Sequence, residues 1–351
     1  MSRRCLVFLP QQVFLKCKDY NASWREDSLP GDNNSYTHDL WDGANYIGSS
    51  TNPWAEFEIV LKQYGLRQFT DDGDALNALA GFLRRFEFSM KCPFLQGLPR
   101  LFLNYYLLFT CRDSVSQTAS LRRKTFPSYT WVGWQRTAEW SLGFGNPSKP
   151  PYSPFWDWLR QGNWITFYIL QPDGSTEDVS AFTTPEPDYS LPHHINKART
   201  AQMQPPPFNL SNFPTQPNRI LQTPGRTYPM LQFWTMTARY KILQSKPGNP
   251  YFAAITTRDG QPCGDIGLDD LLESGTLPYE FLILSQAQRR DKSYYLPGSQ
   301  DADCNYDSFH VMLITRDTDG IAERRGIGIV LQSSLDSSFE PGPRWEEIIL
   351  G

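Results

Sequence analysis

The spacing of hydrophobic residues changes along the chain and divides it into a helical and a strand-rich half. In the first half, apolar residues recur at three- and four-residue steps, the period of one helix face. A helix is predicted to begin at Pro53, with Asn52 as its N-cap, and to end at Gly65. A second helix is predicted to begin near residues 72–74, and a third to cover 99–109. The predicted inward positions of these helices are Trp54, Phe57, Leu61, Tyr64, Leu76, Leu79, Leu83, Phe86, Leu101, Tyr105 and Leu108.

Alternation of apolar and polar residues, the period of a β-strand, marks the start of the chain and most of its second half. Beyond residue 229 it predicts two hairpins, with turns at Asp259-Gly260 and at 317–320. Successive antiparallel hairpins indicate a sheet or a sandwich. The other predicted strands are 5–9, 13–17, 126–134, 139–142, 164–170, 231–236 and 279–284, and the strand-rich half ends with WEEIILG.

Two segments carry neither period. Residues 28–52 are polar and rich in Asn, Asp, Ser and Gly, which predicts a loop. Prolines crowd residues 184–228, which argues against a helix or a central strand and predicts a semi-extended connection. The predicted fold class is therefore α+β, with a helical or mixed N-terminal half, an antiparallel strand-rich C-terminal half, and a Pro-rich connection. The predicted divisions are 1–27, 28–183, 184–228 and 229–351.

The stretch FPSYTWVGW, residues 126–134, concentrates four aromatic rings in one predicted strand. Alternation places Tyr129 and Trp131 on one face and Trp134 on the other, which is typical of a strand buried on both sides. We therefore predict that Tyr129 and Trp131 are buried and that their O–H and N–H groups each find a hydrogen-bond partner. The alternative is a platform for a small ligand or a carbohydrate, formed by Trp131, Trp134 and Trp234.

Charge and hydropathy narrow the classes of partner. The chain has 351 residues, of which 20% are charged, and its formal net charge is −4. A nucleic-acid-binding protein normally presents a basic face, so no nucleic-acid partner is predicted. The one dense basic run, Arg122-Arg123-Lys124, is interpreted as a solvated loop. No apolar stretch reaches the ~18–20 residues of a membrane span, and the run at 5–9 is too short for a secretory signal, so the predicted location is the cytoplasm.

The sequence lacks the common motifs of catalytic serines, phosphate loops and dinucleotide-binding turns. Its six cysteines form no C-x-x-C pair and are predicted to be reduced, mostly buried thiols. The acidic cluster Asp71, Asp72 and Asp74 is interpreted as a helix start rather than a metal site, and adjacent His193 and His194 as loop residues. We therefore predict no metal, no cofactor and no catalytic residue, with an uncharacterised hydrolase as the third-ranking interpretation.

Four stretches together resemble the region downstream of the HET domain in fungal heterokaryon incompatibility proteins. They are SRRCLVFLPQQVFLKC with WRED, YGLRQFTDDGDALNALAGF, RRKTFPSYTWVGW, and GIAERRGIGIV with the closing WEEIILG. Their order and approximate spacing also match those of the family. The matching residues of the two central motifs are Tyr64, Arg67, Thr70, Asp74, Leu76, Ala78, Gly81, Pro127, Ser128, Tyr129, Trp131 and Trp134.

The resemblance implies a non-catalytic accessory or regulatory region. Such a region would take part in non-self recognition and cell-death signalling through contacts with other proteins. The opening stretch, with WRED, resembles the tail of the HET domain, so residues 1–27 are interpreted as its residual tail strands and the chain is expected to be a truncated form. No activity or catalytic residue is therefore carried over from the HET domain to this chain.

Overall fold

The computed structural model shows a small sheet near residue 1, a helical region and a strand-rich region. The small sheet pairs β1 (Arg4–Leu9), β2 (Gln12–Cys17) and β3 (Ser23–Arg25) antiparallel in that order, which confirms the two strands predicted there. The predicted loop at 28–52 and most of the Pro-rich connection lie outside the described residues. The structure describes residues 4–9, 12–17, 23–25, 53–112 apart from 66 and 68, 122–140, 158, 162–179, 208–218 apart from 209, 226–244, 251–287 apart from 271 and 273–277, and 307–351.

The first predicted helix is confirmed, and the second is interrupted. α1 (Pro53–Tyr64) has the predicted bounds, and its stripe is buried at Phe57 and Leu61. The second helix is divided into α2 (Asp74–Asn77) and α3 (Ala80–Met90), with a turn between them. These helices place their apolar faces in one core with the sheet that follows.

The third predicted helix, residues 99–109, is helical only at α4 (Leu103–Tyr106). The carbonyl groups of Leu107 and Phe109 accept hydrogen bonds from the guanidinium of Arg324. They therefore point to a side chain of the strand-rich region instead of continuing the helix. The helical region also contains two short antiparallel pairs, β4 (Phe94–Leu95) with β5 (Leu98–Pro99) and β6 (Thr110–Arg112) with β7 (Thr137–Glu139).

Residues 126–134 do not form a strand, and this prediction was wrong. They run through a turn at residues 128–129 into a 3-10 helix at Trp131–Gly133. The chain folds back on itself there, so closely that a β-carbon on Gly133 would lie 2.4 Å from the carbonyl oxygen of Pro127. Every residue of the stretch is buried because the loop is enclosed, and an enclosed loop has the same composition as a strand buried on both faces.

Six strands of the second half close into a barrel. They are hydrogen-bonded in the order β10, β13, β14, β15, β12 and β11, and β11 pairs again with β10. Both predicted hairpins are confirmed as β11–β12 and β14–β15, but the predicted sheet or sandwich is a closed antiparallel ring. The strands of this half are β8 (Tyr168–Leu170), β9 (Thr176–Asp178), β10 (Met230–Gln244), β11 (Phe252–Thr256), β12 (Pro262–Leu268), β13 (Tyr279–Ala287), β14 (Ser308–Arg316), β15 (Ala322–Leu331) and β16 (Arg344–Leu350).

Side chains of the barrel alternate between its interior and the face turned to the helices. On β13, Phe281 and Ile283 belong to the interior cluster, whereas Leu282 and Leu284 belong to the core shared with the helical region. This alternation is the period of two that the sequence shows. The apolar outer face of the barrel therefore positions the helical region.

The long strand β10 also pairs beyond the barrel. Its first part, residues 230–237, pairs with β8 and β16. Residues 236–240 pair with β13, and residues 241–244 pair with β11. Residues 208–218 of the predicted linker are fixed against β10 and β16 by hydrogen bonds to their side chains. This part of the Pro-rich connection is therefore a packed segment.

Candidate functional site

Two of the resemblance motifs meet at Arg123, whose side chain is 2% exposed. Its guanidinium donates to the carbonyl of Trp134 at 2.7 Å and pairs with Asp72 at 3.2 Å. Another N–H reaches the carbonyl of Arg67 at 3.3 Å, and the group lies over the ring of Phe69. Burial lowers the pKa of Arg123, and the carboxylate of Asp72 opposes that shift. The basic run is therefore not a solvated loop at this residue.

Ser128 connects the same stretch to the strand-rich region. Its N–H donates to the carbonyl of Gly351 at 2.8 Å, and its hydroxyl donates to the same oxygen. The hydroxyl oxygen in turn accepts the backbone N–H of Arg324 at 2.8 Å. One serine thus joins two segments that lie 196 and 223 residues away in the sequence.

Arg324 forms an ion pair with Asp269 in which both side chains are fully buried. Its Nε lies 2.6 Å from Oδ2, and its Nη2 lies 3.1 Å from Oδ1. Two further N–H groups bind the carbonyls of Leu107 and Phe109, and the guanidinium lies 3.5 Å from the centroid of the Phe109 ring. Because a buried charge costs free energy unless it is paired and hydrogen-bonded, these partners offset the cost of burying Arg324.

We call Arg123, Ser128 and Arg324 the motif joint. Their polar groups bind carboxylates and backbone groups of the protein itself, and all three are buried. Ser128 and Arg324 hold the helical region against the barrel, and Arg123 holds residues 64–82 against residues 122–134. Because the three side chains are enclosed, their polar groups do not face a substrate.

Tyr129 and Trp131 are 0% and 1% exposed, which confirms the burial predicted for them. The Tyr129 hydroxyl donates to the carbonyl of Pro229 at 2.9 Å, and the Trp131 N–H donates to that of Gly97 at 2.8 Å. Burial raises the pKa of Tyr129 well above its ordinary value. The predicted partners are therefore present, although the backbone is a loop.

The alternative ligand platform is not formed. Trp131 and Trp134 are each 1% exposed, so neither presents a ring face to solvent. Trp234 lies on β10 and is half-buried, and its N–H donates to the carbonyl of Gln216 at 2.8 Å. The three indoles therefore do not make one open surface.

The other residues of the first central motif divide between packing and exposure. Tyr64 is buried, and its hydroxyl donates to the carbonyl of Ala75 at 2.6 Å. Leu76 is half-buried against the main core. The exposed residues of this motif are Arg67, Thr70, Asp74, Ala78 and Gly81.

A cleft of about 250 Å³ lies where the helical region meets β8 and β9. On its wall, Arg100 pairs with Glu177 at 2.8 Å. Burial raises the pKa of the Cys92 thiol in the same wall, which disfavours the reactive thiolate. The residues that line the cleft are Cys92, Pro93, Arg100, Leu101, Leu103, Asn104, Ile165, Thr166, Phe167 and Val179.

Ser285 and His310 have the hydrogen bond of a nucleophile and its base. Oγ lies 3.0 Å from Nδ1 across the neighbouring strands β13 and β14. Each residue is 1% exposed, and the Trp158 ring packs edge-on against the imidazole. Because the pair is enclosed and lines no described cleft, it gives the hydrolase interpretation no support.

Cys92, Cys111 and Cys263 are buried free thiols, as predicted. Burial raises the pKa of Cys263 to about 12. The side chains of the other three cysteines lie outside the described part of the chain, as do His193 and His194. Within that part, no group of three or more His, Cys, Asp or Glu side chains is placed to hold a metal ion.

Sequence reasoning missed Glu58, a carboxyl on the inner side of α1. The hydroxyl of Tyr105 donates to its Oε1 at 3.1 Å. Burial raises the pKa of Glu58 to about 7, and the Tyr105 hydrogen bond opposes this shift. Its burial could have been predicted from its position in the sequence, since Glu58 directly follows Phe57 and lies three residues before Leu61, and both of these residues belong to the buried stripe of α1.

We expect Glu58 to make stability fall as pH rises from about 4.5 to 7. The folded protein binds the carboxyl proton of Glu58 more tightly than the unfolded chain does. The resulting contribution to the free energy of unfolding is therefore complete below the ordinary pKa of 4.5 and is lost as the pH rises to about 7. The loss is about 3 kcal/mol if no other group compensates. Urea unfolding of the wild type and of Glu58→Gln between pH 5 and 7.5 measures it. The glutamine variant should lack this component, and equal pH slopes for the two proteins would contradict the assignment.

Comparison with known proteins gives no assignment, since no protein-family model, curated protein or solved structure matches the chain. Among the described residues, no helix has the length and apolar character needed to cross a membrane.

Proposed function

We propose that this chain is a non-catalytic accessory region of a heterokaryon incompatibility-type protein that acts in the cytoplasm through contacts with other proteins. One observation carries the proposal. Stretches that resemble the family at residues 64–82, 122–134, 320–330 and 345–351 are far apart in the sequence and meet at the motif joint. Such a meeting is expected of motifs that specify one shared fold.

The state of the motif residues supports a non-catalytic role. Arg123, Ser128 and Arg324 are bonded within the protein, and the buried aromatic residues bind backbone carbonyls. Polar groups that are bonded within the fold are not available to act on a substrate, and function has to be argued from the groups of a site. The role in cell-death signalling follows from the family resemblance.

Expression of this chain in fungal strains that undergo incompatibility tests the proposal. Residues 1–351 expressed alone should leave viability unchanged, because a non-catalytic accessory region has no effector activity of its own. In an incompatible heterokaryon it should raise the surviving fraction of cells, because a free accessory region competes for the contacts of the complete protein.

Two variants act as controls for that experiment. Arg325→Met should keep the effect because its partner Asp270 lies 3.7 Å away in a partly exposed pair. Trp131→Ala should lose the effect together with stability. Death caused by the chain alone, or unchanged survival in heterokaryons that contain folded chain, would reject the proposed function.

A second candidate function, small-ligand binding, is favoured by the cleft beside Arg100. The cleft combines an apolar wall with the polar groups of Arg100, Asn104 and Thr166. Its volume of about 250 Å³ lies below the range of roughly 300–1,000 Å³ typical of ligand sites, which places this function second. Saturation-transfer NMR with a monosaccharide panel should give signals that Leu101→Trp abolishes, and a panel without signals rejects the candidate.

A further inference from the structure

Two tryptophans and a glutamate form a polar and aromatic groove on the surface of the sheet, which we call the indole groove. Trp234 lies on β10, and Trp345 and Glu347 lie on β16. Trp234 is paired with Glu347, and Met236 with Trp345, so the register places the two indoles and the carboxylate on one face. Both indoles are half-buried.

The indole groove holds residues 214–218 by their backbone. The Trp345 N–H donates to the carbonyl of Pro214 at 3.0 Å, and the Trp234 N–H donates to that of Gln216 at 2.8 Å. The backbone N–H of Asn218 then donates to Oε1 of Glu347 at 2.8 Å. Contacts at alternate residues fit an extended chain that crosses the groove.

Two phenylalanines anchor the same segment. Phe213 stacks on Trp345, with ring centroids 4.8 Å apart and an interplanar angle of 26°. Phe208 packs edge-on against Trp164 at 5.2 Å and joins the edge of the barrel-interior cluster. The segment therefore binds through two aromatic anchors and a row of backbone hydrogen bonds.

The sequence of the segment suits this mode of binding. Residues 213–217 read Phe-Pro-Thr-Gln-Pro, a P-x-x-P pattern in which proline restricts φ and lowers the entropy cost of an extended backbone. Aromatic-lined grooves commonly bind proline-rich segments in this way. Pro214, Thr215 and Gln216 are exposed, so the groove does not enclose their side chains.

We infer that the indole groove is a docking site for a proline-rich peptide with the pattern Phe-Pro-x-x-Pro, and that residues 208–218 occupy it in the absence of a partner. At its centre the groove contacts backbone groups and one aromatic ring of the bound segment. A proline-rich segment of a second protein can supply the same groups. Displacement of the chain's own segment would make the groove available to such a partner. This inference deepens the proposed function by giving the chemistry of the partner, and it rests on that function for its biological meaning.

Fluorescence anisotropy with the full chain tests the inference. The probe is a fluorescein-labelled peptide of the sequence FNLSNFPTQPN. The chain's own segment competes with it, so Phe213→Ala in the protein should tighten the apparent Kd about tenfold by weakening that competitor. Asn218→Pro removes the N–H donated to Glu347 and should act in the same direction, which provides a second variant if the first folds poorly.

Variants of the groove should act in the opposite direction. In the Phe213→Ala protein, Trp345→Phe keeps an aromatic ring and removes the N–H, and should weaken peptide binding about fivefold. Phe88→Ala, at a side chain that is 87% exposed on α3, is the matched control and should change nothing. A peptide with alanine at both proline positions should bind more weakly.

Three results would overturn the inference. The first is that the Phe213→Ala and Asn218→Pro proteins melt like the wild type but do not bind the peptide. The second is that the Phe213→Ala protein binds the peptide equally well with and without Trp345→Phe. The third is that light scattering shows either variant to be a dimer. Dimers would show that the occupant is the segment of a second copy. Peptide binding without an effect on heterokaryon survival would support the groove and count against the proposed function, so the two failures can be told apart.

Discussion

Replacing Trp131 with alanine is expected to lower the free energy of unfolding by about 3–5 kcal/mol. The side chain is 1% exposed, and its ring meets Tyr64 edge-on at 5.9 Å. Truncation leaves a cavity in the core and removes the indole N–H that binds the Gly97 carbonyl. Chemical denaturation monitored by far-UV circular dichroism measures the loss.

Trp131→Phe separates packing from hydrogen bonding at this position. It keeps an aromatic ring and loses the N–H, so it should cost less than the alanine variant. Phe88→Ala, an equally drastic truncation of an exposed ring, should stay within about 0.5 kcal/mol of the wild type. A Trp131→Ala protein within 1 kcal/mol of the wild type would show that the enclosed loop is not part of the stable core.

Replacing Arg324 with methionine is expected to cost about 3–5 kcal/mol, because Asp269 would remain as a buried charge without its partner. The carbonyls of Leu107 and Phe109 would lose their donors in the same step. Urea unfolding at pH 7 gives the free energy.

The adjacent residue supplies the matched control for this substitution. Arg325 pairs with Asp270 at 3.7 Å, and both side chains are about one quarter exposed. Because partly exposed pairs contribute little, Arg325→Met should cost less than about 1 kcal/mol. Equal costs for the two arginines would refute the view that Arg324 joins the helical region to the barrel.

Local parts of this fold were predictable from the sequence. The hairpins at Asp259-Gly260 and 317–320 depend on turn residues and on flanking strands that are neighbours in the chain. The closing of the ring was not predictable, because it depends on β10 pairing with β13 as well as with β11. A barrel differs from an open sheet in the pairing of these strands, which lie far apart in the sequence.

The candidate site shows the same division. Burial of Tyr129 and Trp131 follows from their size and from the hydrogen bond each polar tip requires. The loop conformation around them depends on contacts made within the folded protein. Arg324 and Arg325 look alike in the sequence, and only the tertiary structure makes one an enclosed ion-pair partner and the other a surface residue.

The bond between Ser128 and Gly351 has a consequence for protein synthesis. The two residues are 223 positions apart, so Ser128 reaches this partner only after residue 351 has left the ribosome. Contacts of such long range slow the last stage of folding. Until then the apolar face of the helices has no barrel to cover it, and the nascent chain has to be protected from association during most of its translation.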